Sequence, residues 1–277
     1  MADAERSLQR AIVEARRGGQ NRSEALALAY LAGSSAYGPR PVPGCIQLCE
    51  DILERAGSNP WVVSGTRAGL ARLRAMVGAF DDAERDAAEA LRILDDLGIE
   101  QIRAGVEIEL AFFVDLPRGD LADAEQRLRV ARGLLRERGE HAAAADAGGV
   151  LARCAYAGGD YELANQLARE AAEFEGGGNL IHGTLVRGVR AMALARCGQT
   201  EHAEQLARSA VDDIGSTDAI TFHAQALIDL GEVLTISGES REARFVIDSA
   251  LALHERKGNL VGAAEARARL LSLSGRQ

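Results

Sequence analysis

A repeat with a period of about 40 residues is the feature that most constrains how this chain folds. In each unit a glycine is followed five positions later by an alanine, and a second alanine comes seven positions after the first. The units with this pattern contain Gly78, Gly119, Gly159, Gly198 and Gly238. One period earlier Cys45 and Ile52 occupy the two alanine positions, and Ala4 and Ala11 occupy them one period before that. Seven registers therefore share one period.

This spacing predicts pairs of helices joined by tight turns. Residues seven apart lie on one helix face, and alanine at both positions lets a neighbouring helix approach closely. Glycine suits the left-handed backbone that ends the preceding helix. Aspartates such as Asp81, Asp120 and Asp160 follow that glycine and favour the positive end of the next helix. Each unit is thus predicted to be helix A, a turn and helix B.

Composition supports an all-α fold. Alanine, the best helix former, is abundant, while aromatic residues make up only 4% of the chain, which argues against β-sandwiches and barrels. The predicted helices cover residues 3–17, 22–37, 45–56, 61–77, 80–97, 100–116, 120–138, 140–157, 160–174, 180–197, 200–214, 218–237, 240–257 and 260–273. Three prolines within residues 38–43 predict a stiff connection. Residues 58–60 and 176–178 also interrupt the helical pattern.

The repeat predicts one continuous solenoid over residues 1–277, because each unit packs on its neighbours. The units are residues 1–20, 21–57, 58–98, 99–139, 140–178, 179–216 and 217–258, followed by a capping helix at 259–273. The first helix is of the B type, so its missing A partner suggests either a truncation or a dimer contact. Oligomerisation therefore stays open.

Charge and apolar content exclude several classes of protein. The net charge is −9 and no run of basic residues exceeds a pair, which argues against nucleic-acid binding. No segment reads as a signal peptide or a membrane span, so we expect a cytoplasmic protein. Four cysteines do not make a disulfide framework. Lys257 is the single lysine, which we attribute to base composition of the genome.

The unit resembles the second helix of a tetratricopeptide repeat. That family also places a small residue seven positions before the glycine, which Ala71, Ala152, Ala191 and Gly231 match and Phe112 does not. The resemblance implies a right-handed α-α superhelix. The longer period implies lengthened helices, as in the tetratricopeptide-like sensor domains of bacterial signalling ATPases, and Phe112 implies a local change of geometry.

Residues 37–43, 49–53 and 252–261 look like a narrower group. In these bacterial proteins a class III adenylate/guanylate cyclase domain and an AAA-type ATPase module precede a long tetratricopeptide-like tail. The sequence contains no phosphate-binding loop of the G-x-x-x-x-G-K-[ST] type, so the resemblance covers the tail alone. It implies a regulatory domain whose partner is an attached ATPase or cyclase.

No catalytic constellation is evident, and we expect no enzyme, metal or cofactor. Cys45 and Cys49 share a helix face, which favours small buried packing over a zinc site that would need two more ligands. His141, His182 and His223 recur at 41-residue intervals and should form a solvated ladder, too widely spaced to chelate one ion. Adjacent carboxylates such as those of residues 81–82 and 212–213 are typical of solvated faces. His202 and His254 are expected to be exposed.

The concave groove lined by the A helices is the predicted binding site. Positions flanking the small residue should project into it, and they are Arg72, Glu109, Arg153, Tyr156, Met192, Arg196, Glu232 and Thr235. These arginines either hold an acidic or extended peptide by charge-assisted hydrogen bonds or pair with glutamates of adjacent repeats. Two functions stay open: a non-catalytic protein- or peptide-binding domain of a bacterial signalling protein, or a small-molecule-binding tail that controls an attached ATPase or cyclase.

Overall fold

The chain folds into an all-α, right-handed α-α superhelix, as predicted. The computed structural model describes residues 1–57, 59–174 and 180–275, and those residues form fourteen helices without a strand. The helices are α1 (Ala2–Arg17), α2 (Asn21–Ser34), α3 (Val42–Ala56), α4 (Pro60–Met76), α5 (Phe80–Asp96), α6 (Glu100–Leu110, continued through Ala111–Asp115 and Leu116–Arg118), α7 (Leu121–Glu137), α8 (His141–Ala157), α9 (Tyr161–Ala172), α10 (Leu180–Arg196), α11 (Thr200–Gly215), α12 (Ile220–Ile236), α13 (Ser240–Lys257) and α14 (Leu260–Ser274). The interruption predicted at residues 58–60 is present, since Asn59 caps α4 and Pro60 is its first residue. Residue 58 and the interruption predicted at 176–178 lie outside the described residues.

The small residues of the repeat make the contacts between helices. The paired alanine positions are buried from the unit of Cys45 onward, and in the unit of α5 both Ala83 and Ala90 have no exposed surface. The glycines before them are left-handed, with φ between 82° and 86° at Gly78 and its four equivalents. Ala4 and Ala11 are the exception. The prediction that they pack against a neighbouring helix is wrong, because both residues are exposed. Helix α1 instead buries Ile12 and Ala15.

Helix α6 departs from α-helical geometry where the small residue of its unit is replaced. Residues Ala111–Asp115 form a π-helical turn around Phe112 and Phe113, whose rings meet edge to face at 4.9 Å. Such turns insert a residue into the helix and are frequent at functional sites. The change of geometry expected from Phe112 is therefore present, and it projects two adjacent aromatic side chains.

The two ends of the superhelix contact each other. The connection between α2 and α3 lies against the start of α12, where Thr221 Oγ1 donates a hydrogen bond to the Ala36 carbonyl oxygen at 2.8 Å. The terminal ammonium of Met1 contacts the Asp218 carboxylate. These contacts join residues more than 180 positions apart, so the early repeats close onto the late ones.

Lys257 provides the most buried of these closing contacts. It ends α13, and its ammonium donates to the carbonyl oxygens of Ser35, Gly38 and Arg40 at 2.8–2.9 Å. The side chain is only 1% exposed. Burial lowers the pKa of Lys257, since removal from water disfavours the charged form. The single lysine of the sequence thus holds the proline-rich connection that the sequence predicts to be stiff.

No helix within residues 1–57, 59–174 and 180–275 is both long and apolar enough to cross a membrane.

Candidate functional site

An apolar pocket lies at the centre of the concave surface. It has a volume of about 190 Å³ and lies where α6, α8, α10 and α12 approach the connection after α2. Its apolar wall consists of Ile108, Phe112, Phe113, Val150, Ile181, Leu185, Val186 and Phe222. The π-helical turn of α6 directs Phe112 and Phe113 to this wall, so the irregular part of the solenoid builds the cavity.

Four aromatic rings from distant parts of the chain meet beside the pocket. The ring centroid of Tyr37 lies 5.2 Å from that of Phe222 and 6.4 Å from that of Phe113. Phe112 lies 6.4 Å from Phe222. Offset and edge-to-face arrangements at these distances stabilise aromatic clusters beyond the area they bury. A chain with few aromatic residues thus concentrates four of them at one place.

The polar groups of the pocket wall come from four separate segments. The Tyr37 hydroxyl donates a hydrogen bond to the Glu109 carboxylate, which also forms an ion pair with Arg72. On the opposite wall His182 Nδ1 lies 2.5 Å from an Asp146 carboxylate oxygen. An apolar cavity with a few convergent polar groups is the usual form of a binding site.

The predicted groove residue Arg72 is buried behind the pocket. It is 4% exposed, and it donates to the Gly33 carbonyl oxygen at 2.7 Å in addition to its ion pair with Glu109. Its guanidinium lies over the Tyr37 ring, 5.5 Å from the centroid. Arg72 therefore holds Glu109 and Tyr37 in position and lines no part of the cavity itself.

Arg153, whose guanidinium lies behind the pocket wall, forms a buried ion pair with Asp229. Its guanidinium donates to the two carboxylate oxygens at 2.5 and 3.1 Å and to the Leu185 carbonyl oxygen at 3.2 Å. Arg153 also lies over the ring of Phe112, 5.8 Å from the centroid. A bidentate pair of this kind fixes two A helices relative to each other, since Arg153 is on α8 and Asp229 on α12.

Tyr156, Arg196 and Glu232 form a second network toward the C-terminal repeats. The Tyr156 hydroxyl donates to Glu232 at 2.9 Å, and Arg196 contacts both of them. Arg269 of α14 reaches the other Glu232 oxygen at 2.7 Å. Burial alone would raise the pKa of Glu232, but Arg269, Tyr156 and Arg196 lower it, and burial raises the pKa of Tyr156. This network links four A helices.

The structure therefore places the predicted groove residues in two groups. Arg72 and Glu109 lie at the pocket, whereas the Tyr156 network lies farther along the concave surface. Met192 is 5% exposed and belongs to the apolar core, and Thr235 donates to the Gly231 carbonyl oxygen at 2.7 Å. Arg72 and Arg196 form ion pairs with glutamates of the adjacent repeat, which is one of the two alternatives that the sequence left open, whereas Arg153 pairs with Asp229 two repeats farther along.

The histidine positions differ from the solvated ladder expected from their spacing. His141 is exposed and stacks on Phe174, with 5.8 Å between centroids, but His182 is buried and His223 is half-buried. Burial, with a contribution from Arg256, lowers the pKa of His223. The expectation of solvation is wrong for His182 because the first turn of α10 faces the pocket.

His254 also differs from its prediction. It is 5% exposed, and its imidazole lies where any side chain larger than that of Gly262 would overlap it. Burial lowers the pKa of His254. His202 is exposed, as expected.

Cys45 and Cys49 are both buried, which confirms the packing interpretation. The Cys45 thiol donates to the Ser35 carbonyl oxygen at 3.3 Å, and burial raises the pKa of Cys49 to about 12. Over the described part of the chain, no three histidine, cysteine, aspartate or glutamate side chains are placed to hold a metal ion.

Sequence reasoning missed the residues that define the pocket. Tyr37, Phe222 and Asp146 lie outside the positions that flank the small residue of each unit, and Phe113 lies at such a flanking position but was not predicted. The available signal was the rarity of aromatic residues, since Phe112 stands where a small residue is expected and a second phenylalanine, Phe113, follows it. Their proximity to Phe222 depends on the curvature of the whole superhelix.

Comparison with known proteins identifies the fold. No protein-family model and no curated relative matches this chain. One similar solved structure is that of NprR in complex with its cognate peptide NprX, with 14% identity, coverage of 97% of this chain and 77% of that chain, and a TM-score of 0.67. Another is that of a Rap protein complexed with Competence and Sporulation Factor, with 14% identity, coverage of 99% of this chain and 85% of that chain, and a TM-score of 0.61. A signal transduction ATPase with a tetratricopeptide repeat sensor from Pyrococcus horikoshii is also similar, with 16% identity, coverage of 82% of this chain and 34% of that chain, and a TM-score of 0.54. At these identities the likeness shows a tetratricopeptide-like superhelix.

Proposed function

We propose that this chain is a non-catalytic regulatory domain that binds a protein segment or peptide at the centre of its concave surface. The observation that carries the proposal is the aromatic pocket between α6, α8, α10 and α12. Its volume of about 190 Å³ is below the roughly 300–1,000 Å³ of drug-sized ligand sites. A cavity of this size suits one or two apolar side chains of a peptide lying along the groove.

Two kinds of support favour a peptide. The similar NprR and Rap structures each contain a bound peptide or signalling factor, and this chain shares their fold. The ion pairs Arg72–Glu109 and Arg153–Asp229 also hold residues of the pocket wall in place. Preorganised walls reduce the cost of ordering on binding. A direct ligand role for Arg153, Tyr156 and Arg196 stays a prediction.

The wider setting is proposed from resemblance. We infer that the domain, taken as one solenoid over residues 1–277, acts in the cytoplasm of a bacterium as part of a signalling protein. The alternative is a tail that binds a small molecule and controls an attached ATPase or cyclase, and the likeness to the Pyrococcus horikoshii sensor favours that arrangement. Both versions use the same pocket and differ in its ligand.

Filling the pocket tests the proposal. Ile181→Trp adds a large ring to the cavity wall, and Ile102→Trp makes the same change at an exposed position of α6. A thermal-shift screen of a hexapeptide library and a metabolite library should give ligands that stabilise the wild type and Ile102→Trp but not Ile181→Trp. Hits from the peptide library support the main proposal, and hits from metabolites alone support the alternative. Ligands that stabilise Ile181→Trp as strongly as the wild type would exclude the pocket as the site.

A further inference from the structure

The charged side chains in the wall of the concave pocket are acidic. Among the described residues that line it, Glu109 and Asp146 are carboxylates, and none is lysine or arginine. Their side chains are 32% and 37% exposed, so both are accessible from the groove. A ligand entering the pocket therefore passes two carboxylates beside an aromatic wall.

The nearby arginines do not make the pocket wall positively charged. Arg72 and Arg153 are 4% and 8% exposed, and each donates to a carboxylate and to a backbone carbonyl oxygen. Arg72 offsets the charge of Glu109, whereas no arginine of the described chain lies within ion-pair distance of Asp146. Asp146 contacts His182 but no arginine, so it contributes a carboxylate without a permanently charged cation beside it.

Two rings of the aromatic wall already face cations of the chain itself, which leaves the rings of Phe113 and Phe222 for a cationic ligand. The guanidinium groups of Arg72 and Arg153 already lie over the rings of Tyr37 and Phe112, at 5.5 and 5.8 Å from the centroids. Aromatic faces attract cations at such distances through the ring quadrupole. The net charge of −9 also draws cationic partners toward the chain before they bind.

We propose that the pocket selects a basic peptide, in which an arginine or lysine stands beside an apolar side chain. This inference rests on the proposed peptide-binding function and specifies its ligand class. The apolar side chain packs among Ile181, Leu185 and Phe222, and the cation meets the carboxylates of Asp146 and Glu109. The acidic peptide anticipated from the groove arginines is disfavoured, because those arginines are committed to internal ion pairs.

A positional-scanning library of acetylated hexapeptides tests the ligand class. Each pool fixes one position as Arg, Lys, Leu, Phe, Gln or Glu, and binding is measured by fluorescence polarisation at two salt concentrations. Pools that fix arginine or lysine should bind at least tenfold more tightly than the matching glutamine pools, and added salt should reduce the difference.

Charge variants of the pocket then separate recognition from folding. Asp146→Asn keeps an acceptor for His182, and it should weaken the basic pools about tenfold. Asp212→Asn removes the same charge from an exposed position of α11 and should leave binding unchanged. Asp146→Lys should shift the preference toward pools that fix glutamate, an inversion that a purely structural role of Asp146 does not produce. Circular dichroism checks that each variant keeps its helices.

Two results would overturn the inference in different ways. If apolar pools bind equally well with arginine, glutamine or glutamate, and Asp146→Asn behaves like Asp212→Asn, the basic ligand class is wrong while peptide binding stands. If no pool binds and the Ile181→Trp screen also finds no peptide ligand, the proposed function fails together with the inference.

Discussion

The ammonium nitrogen of Lys257 lies 2.9 Å from the carbonyl oxygen of Ser35, although the two residues are 222 positions apart. The same nitrogen serves two more carbonyl oxygens of the connection that carries Tyr37. This contact closes the superhelix and positions one wall of the pocket. The closed ends and the central pocket are thus parts of one arrangement.

Removing the Lys257 ammonium should destabilise the fold. Lys257→Met removes three charge-assisted hydrogen bonds and leaves only the weak Cys45 thiol donor for the carbonyl oxygens of Ser35 and Arg40. The loss of a buried charge, which is costly to desolvate, offsets this destabilisation only in part. We expect the free energy of unfolding to fall by about 3 kcal/mol, measured by urea denaturation. Arg256→Met changes an exposed neighbour and should stay within about 0.5 kcal/mol of the wild type. Equal stability of the two variants would show that the closing contact contributes little.

A methyl group at Gly188 should disrupt the buried pair between α8 and α12. The added Cβ would overlap the Asp229 carboxylate that Arg153 holds, so Gly188→Ala should reduce the free energy of unfolding by about 2–4 kcal/mol. Gly105→Ala is the matched control, since its Cβ meets no atom within 4 Å in the middle of α6. It should stabilise the protein by about 0.5–1 kcal/mol through helix propensity. An unchanged free energy of unfolding in Gly188→Ala would contradict the tight packing of Gly188 against the Arg153–Asp229 pair.

Stability should fall when the pH drops below about 6.5. Burial lowers the pKa values of His254 and His223 in the folded chain, so the unfolded chain binds protons first as the solution is acidified. The free energy of unfolding should therefore decrease between pH 7 and pH 5.5, and it should be nearly level above pH 7 for these groups. Urea denaturation at several pH values should show a shallower slope for His254→Gln than for the wild type. The exposed His202→Gln serves as control, and a slope unchanged in His254→Gln would argue against this origin.

The repeat was readable from the sequence because its chemistry is local. The small residues seven apart, such as Ala83 and Ala90, are buried in every unit from that of Cys45 onward, and the left-handed backbone of Gly78 depends only on its own turn. The register of Ala4 and Ala11 failed because α1 packs through Ile12 and Ala15 instead. Phe112 signalled a change of geometry without specifying a π-helical turn.

The pocket was not readable because it depends on the sum of small rotations between repeats. Tyr37 and Phe222 meet only after the superhelix has turned through the intervening units. Nothing in the sequence around Lys257, the single lysine, predicts its contacts. They form only because the superhelix brings the connection after α2 to the end of α13. Local spacing predicts which residues pack within a unit, but it does not predict contacts between the two ends.

Hydrogen exchange measured with and without a hexapeptide selected by the wild-type chain tests the central claim most directly. A peptide bound in the pocket should slow exchange in residues 108–113 of α6, in residues 181–186 of α10 and around Phe222, and it should leave helices α7 and α9 unchanged. Protection confined to α7 and α9, with no change around Phe222, would contradict a binding site in the concave pocket.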